Sequence, residues 1–339
     1  MHAPELKPGN AARCHWQHAA DIRTPLALLY LHGVSTSTSE AGARPEQMAD
    51  ALAANADVHR WPGHGLSTPD AMQGLTAAVL QTSALEALAQ AQRMGQRIAI
   101  IGSSMGATLG LWLGLWLGLW LGLWLGLWLG LWLGLWLGLW LGLWLGLWLG
   151  LWLGLWLGLW LGLWLGLWLG LWLGLWLAAQ RPDAVAAVVA WSPGIQPADP
   201  ALLDQVCAAQ APLTDPRPRT PAAHAFWAET IHPDRFRALR SLFQVVATDP
   251  PWPRVRCPVL LGDDRATDGR EDATASVQAM LDMFVALGTA PAHKQAIAFY
   301  SGAHAIGSPH KTPLADAVAQ ASVAFLQEQL GAAPQTGNA

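Results

Sequence analysis

Two strand-like runs, "QRIAII" and "AVAAVVAW", are separated by a tract that repeats Leu-Gly-Leu-Trp without interruption. Trp recurs at every fourth position from Trp112 to Trp176, which makes 17 copies. Sixteen surplus copies would lengthen a straight helix by roughly 96 Å and carry the second run out of any sheet that holds the first. The chain must therefore leave and re-enter its folded domain near one point. The tract contains no Pro, Asn or Asp to fix a turn, so a reversal can fall only at a Gly, and its Gly sites are equivalent. A period of four is too short for a solenoid unit. The identical copies read as a tandem expansion of one in-frame unit inside an ordinary helix, "SMGATLGLWLAAQRPDAV".

Setting those copies aside leaves 275 of the 339 residues, ample for one α/β domain. The 53% hydrophobic content is inflated by the tract. A net charge of −4 with no basic run gives no electrostatic support for nucleic-acid binding. Cys14, Cys207 and Cys257 are too scattered for a metal site or a disulfide framework. The first twenty residues lack an apolar stretch of signal-peptide length, which points to a cytoplasmic chain.

Outside the tract, strands and helices alternate. "PLALLYLHG", "DVHRW", "QRIAIIG", "AVAAVVAW", "PVLLG" and "KQAIAFY" read as strands. "PEQMADALAANA", "TAAVLQTSALEALAQAQRMG", "SVQAMLDMFVALG" and "LADAVAQASVAFLQEQLG" read as helices. The expectation is an α/β fold with a mostly parallel sheet covered on both faces. The expected boundaries are an N-terminal extension over 1–23, a first domain part over 24–108, the repeat over 109–177, a second domain part over 178–333 and a tail over 334–339. Within the second part, the irregular, Pro-rich 195–251 has the size and position of a small cap.

Gly102-Ser103-Ser104-Met105-Gly106 matches G-x-S-x-G, with a strand before it and a helical stretch after it. In that context the motif is a sharp turn that lifts the middle serine above the sheet at a helix N-terminus. Ser104 is the candidate nucleophile. A serine needs a base and an oriented carboxylate, acid before His in such a fold. His304, in "FYSGAHAIGSP", follows a strand and a small-residue loop and is the candidate base, whereas His293 and His310 lie on polar segments. The acid falls among Asp263, Asp264, Asp268 and Asp272, and strand proximity favours the first two.

The strand-HG at His32-Gly33, "PGHG" at 62–65, the GSSMG turn, the acid loop and the late G-x-H together resemble the α/β-hydrolase superfamily, in particular its bacterial serine esterases and lipases. The resemblance runs from about Leu26 to Leu330. In the branch with a "SVxAM" helix after the acid loop it implies Asp272 as the acid, although Ala273-Thr274-Ala275 departs from the usual Val-rich step. Asp264 and Asp268 stay open. The resemblance also implies an oxyanion hole formed by the N–H groups of Val34 and Met105, and a small acyl ester as substrate. His64 is expected to pack and hydrogen-bond rather than act on substrate. Such chemistry requires no metal or cofactor. A reading of another class is a non-catalytic protein attached to membranes, or self-associating, through the tract. Apolar runs of about 20 residues can span a bilayer, and G-x-x-x-G favours close helix packing.

Overall fold

The computed structural model describes residues 5–68, 70–114, 185–214, 220–265 and 271–331. The repeat beyond residue 114, the candidate Asp268 and the C-terminal tail lie outside the described residues. Among the described residues, no helix is long and apolar enough to cross a membrane.

A seven-stranded sheet carries the architecture. Its strands are β1 (Arg13–His15), β2 (Thr24–Leu31), β3 (Asn55–His59), β4 (Gly95–Ser103), β5 (Val185–Trp191), β8 (Val259–Asp264) and β9 (Lys294–Phe299), in the spatial order β1-β3-β2-β4-β5-β8-β9. Every pairing is parallel except β1 with β3. The central strands are apolar throughout because both faces are covered: Leu28, Leu29, Tyr30, Ile98, Ile100, Ile101, Val188 and Val189 are all fully buried. β1 escapes the sequence reading because "RCH" is short and polar, as suits an edge strand.

Helices α1 (Arg44–Ala51), α2 (Ala77–Met94), α7 (Val277–Ala286) and α8 (Ala315–Leu330) alternate with the strands. Thr76 caps α2 by accepting the Val79 N–H, and Ser276 caps α7 by accepting that of Ala279. Helix α3 opens at 105, and its described part runs to 114. Leu109, Leu111 and Leu113 are fully buried and Trp112 nearly so. The first Leu-Gly-Leu-Trp unit therefore lies in the core, with Gly110 and Gly114 against side chains of β4 and β5.

The region 195–251 is more regular than its Pro content suggests. It holds α4 (Pro200–Ala208), a two-stranded ribbon of β6 (Leu213–Thr214) and β7 (Thr230–Ile231), α5 (Pro221–Phe226) and α6 (Asp234–Thr248). The buried face of α6 is Arg235, Ala238, Leu242 and Val246. An arginine at an inward position hides the helical period in the sequence. Two contacts tie this region to the loop after β2: Ala228 N–H donates to Ser35 O at 3.2 Å, and the Thr36 hydroxyl donates to Phe226 O at 3.3 Å.

Candidate active site

The order of strands changes direction between β2 and β4. β3 follows β2 outward on one side, and β4 starts the progression on the other. Open parallel sheets bind ligands at the carboxyl ends of strands at such a switch point, and there the loops after β2 and β4 meet.

Ser104 follows β4 directly. Its φ is +52°, in the left-handed region that side chains avoid. The glycines two residues either side are dictated by space. A Cβ on Gly102 would lie 2.3 Å from Ala107 Cα, and one on Gly106 would lie 2.0 Å from Leu31 O. The turn is also pinned to the end of β5. Ser104 N–H donates to Trp191 O at 2.9 Å, Gly194 N–H donates to Ser104 O at 3.2 Å, and the Thr108 hydroxyl donates to Gly194 O at 2.8 Å.

The loop after β9 brings His304 to this serine although 200 residues separate them. His304 Nε2 lies 2.8 Å from Ser104 Oγ, and His304 Nδ1 lies 2.5 Å from Asp272 Oδ2. With Nδ1 protonated, Nε2 is free to accept the serine proton. The other Asp272 oxygen accepts the Thr274 N–H at 2.7 Å and the Ala275 N–H at 3.2 Å. The Asp272 side chain is fully shielded from solvent. Burial would raise its pKa, but the charge and hydrogen bond of His304 and the two amides outweigh burial and leave it lowered. Burial would likewise lower the His304 pKa. Asp272, then Glu40 and Asp264, reverse that and hold it above 6.5. The acid loop is clipped to the start of the cap region, since Ser276 N–H donates to Gln196 O and Ala198 N–H to Thr274 O.

The other candidate carboxylates make different contacts. Asp264 accepts the Ser301 hydroxyl at 2.6 Å and so braces the loop that carries His304. Asp263 pairs with Arg265 at 2.8 Å. His293 is exposed, while His310 is half-buried and packs beside Phe226 and Trp227 rather than lying free on a polar segment.

Val34 lies just beyond the C-terminal end of β2, and Met105, fully buried, opens α3. Neither N–H donates a hydrogen bond within the protein among the described residues. The backbone around Val34 is held by two buried imidazoles. His32 Nδ1 lies 2.8 Å from Gly33 O, its Nε2 accepts the Trp61 N–H, and the Trp61 indole donates to His32 O at 2.9 Å. His64 Nε2 lies 2.9 Å from Val34 O. Burial drives the His64 pKa down to about 4 and that of His32 well below its usual value, so both rings are neutral scaffold.

Two cavities border the cap region, and neither is lined by Ser104, Asp272 or His304. One, of about 280 Å³, lies between the "PGHG" loop and the cap region, lined by Asn10, Thr36, Met72, Phe226 and Trp227 among others. The second, of about 220 Å³ and mostly apolar, lies between α4 and α6 and is lined in part by Leu203 and Phe243. The Phe243 ring reaches within 3.5 Å of where a Gly194 Cβ would stand, and Met105 N is 3.7 Å from the same point.

Sheet order and the placement of the turn define the α/β-hydrolase fold, and this chain has it. Solved structures agree. One of the two metagenome-derived lipolytic enzymes LipS and LipT superposes with a TM-score of 0.62 at 15% identity, covering 96% of this chain and 100% of that one. The monoacylglycerol lipase of Paleococcus ferrophilus gives 0.57 at 14%, covering 96% and 99%. A soluble variant of the Saccharomyces cerevisiae monoglyceride lipase gives 0.54 at 9%, covering 97% and 96%. No protein-family model matches the chain, and no curated protein matches it in sequence.

Proposed function

We propose that this chain is a serine hydrolase that cleaves carboxylic esters through Ser104, His304 and Asp272. The observation that carries the reading is the continuous hydrogen-bonded chain from Ser104 Oγ through His304 to a shielded Asp272 carboxylate. The lipolytic activity of the solved neighbours lends it support.

In the proposed reaction, His304 Nε2 takes the Ser104 proton as Oγ bonds to the ester carbonyl carbon. Asp272 holds the ring and offsets the charge that develops on it. The carbonyl oxygen becomes an oxyanion held by the Val34 and Met105 N–H groups. One such donor typically contributes ~3–4 kcal/mol to the transition state. The C–O bond then breaks, and the alcohol leaves with the proton from His304. Water, deprotonated by the same ring, cleaves the acyl-enzyme and restores Ser104. Phe243 and Gly194, beside Met105, form the apolar side on which the acyl chain rests.

An organophosphonate probe tests the proposal. Stoichiometric labelling is expected, with the adduct on the peptide containing Ser104. No adduct, or one on Ser103 instead, would overturn it. The pH profile gives an independent check. His304 acts as base only when neutral, and its pKa is raised above 6.5. The acid limb of kcat/KM is therefore expected to have its midpoint above pH 6.5, with activity lost as pH falls through it. A midpoint near pH 5 would argue against His304 as the base.

A further inference from the structure

One buried carboxylate beside this centre has no part in the scheme above. Glu40 sits in the loop "STSTSEAGA" after β2 and is 4% exposed. In sequence an acid among serines and threonines reads as solvated. In the fold it lies under the nucleophile turn. Glu40 Oε2 accepts the Gly33 N–H at 2.9 Å and the Tyr30 hydroxyl at 3.3 Å, and the Ser103 side chain lies close by. Around the point where a Gly33 Cβ would stand, Glu40 Oε1 and Ser104 Cβ each lie at 3.3 Å. The carboxylate and the serine thus share the space that a side chain at Gly33 would fill.

We propose that Glu40 is a positioning residue of the active centre, an ionised second carboxylate that fixes the Gly33–Val34 turn and stabilises positive charge on His304. The inference rests on the serine-hydrolase reading of the same site. Its first ground is the donor set. A backbone N–H and the Tyr30 hydroxyl converge on one carboxyl oxygen, as suits the acceptor-only ionised form. Its second ground is the placement of the Gly33 N–H, one residue before the Val34 N–H that would bind the oxyanion. A bond from Glu40 to Gly33, together with one from His64 to Val34 O, holds that peptide from both sides.

The third ground is charge. Glu40 Oε1 and Ser104 Cβ each lie 3.3 Å from the Gly33 Cβ point, and His304 Nε2 is 2.8 Å from Ser104 Oγ, so an imidazolium formed by proton transfer from Ser104 feels the charge of Glu40 as well as that of Asp272. Burial outweighs the Gly33 N–H, the His304 charge and the nearby hydroxyls and leaves the Glu40 pKa raised from 4.5, so its charge in the working pH range depends on those donors. The other charges nearby are the pair of Arg13 from β1 with Glu46 from α1, at 2.8 Å. Arg13 also donates to Ser39 Oγ and Gly42 O and so brackets the Glu40 loop. Asp264 is the remaining acid that acts on His304.

The test compares Glu40→Gln and Glu40→Asp with the parent chain in pH profiles on a short p-nitrophenyl ester. Gln keeps the shape and an acceptor for Gly33 but removes the charge. Its acid limb is expected to move down by roughly half a pH unit or more, because the imidazolium loses a stabilising neighbour. Its plateau kcat is expected to fall by about tenfold, with KM within about twofold, because that same charge develops in the transition state. Asp, which keeps the charge, is expected to return the limb towards its original position. An unchanged Glu40→Gln profile would overturn the proposal. So would a lower kcat with an unmoved limb, which is what a merely structural side chain gives. If Glu40→Gln does not fold, Tyr30→Phe decides. Removing that donor disfavours the ionised Glu40, so the limb must move the same way, and an unmoved limb overturns the proposal. Ser104→Ala in the same assay separates the two readings. A fully active Ser104→Ala sinks the serine-hydrolase reading and this one with it. A dead Ser104→Ala beside an unaltered Glu40→Gln sinks this one alone.

Discussion

Ser104→Ala is expected to lower kcat for ester hydrolysis by about five to six orders of magnitude and to abolish phosphonate labelling, with the fold intact. The oxygen removed is the only nucleophile within reach of His304 Nε2, at 2.8 Å, among the described residues. Alanine introduces no new atom into a turn where space is short. His304→Ala should cost about as much, because the serine without a base is a poor nucleophile. Asp272→Asn should cost less, about four orders, through the wrong imidazole tautomer. The three residues act as a unit, so a double variant should be little worse than the serine change alone. Kinetics of the three single variants and one double on a chromogenic ester would decide the matter. Near-full activity in Asp272→Asn, with loss in Asp264→Asn or Asp268→Asn, would move the acid to that residue.

The second large effect is expected from shortening the repeat. β4 and β5 are parallel neighbours, with Ile98 level with Val185 and Ser103 level with Trp191. The connection must descend from the top of one strand to the foot of the next, about 20 Å at ~3.3 Å per residue. A helix covers that distance in about 13 residues at ~1.5 Å each. Between Ser103 and Val185 the chain has 81 residues, and removing sixteen copies takes out 64 and leaves 17. One copy thus suffices for a right-handed crossover, and Leu109, Leu111, Trp112 and Leu113 already occupy the core positions on α3. Sixteen more copies bring 32 leucines and 16 tryptophans without one charge. We propose that they are surplus to the fold. The 275-residue chain is expected to be soluble and active, and the full-length chain to aggregate or to partition into detergent or membrane. Side-by-side solubility and esterase assays test this. A soluble, active full-length chain beside an insoluble, inactive deletion would show that the tract belongs to the fold.

The sheet could be read from the sequence because a parallel strand covered on both faces is a short apolar run, as in "LALLYL" and "IAII". The G-x-S-x-G turn could be read because its motif lies within five residues between a strand and a helix, although of its glycines only Gly102 answers to a local contact, with Ala107, while Gly106 answers to the end of β2. The approach of Asp272 and His304 was less legible. Four aspartates fall within the ten residues 263–272, two ending β8 and two after it, and strand proximity favoured Asp263 and Asp264, which instead bond Arg265 and Ser301. Only the resemblance distinguished Asp272. The helices of the cap region were hidden by Pro and by the inward Arg235. Glu40 left no local signal at all, because its partners Tyr30, Gly33 and Ser103 come from two strands and a turn.

The left-handed backbone at Ser104 has a consequence for durability. A side chain held at φ +52° typically costs ~1 kcal/mol or more, which glycine does not incur. Ser104→Gly should therefore unfold at a temperature a few degrees higher than the parent while hydrolysing nothing. Under the proposed mechanism the chain keeps the Ser104 hydroxyl at the expense of resilience, and a melting curve of the glycine variant measures that concession.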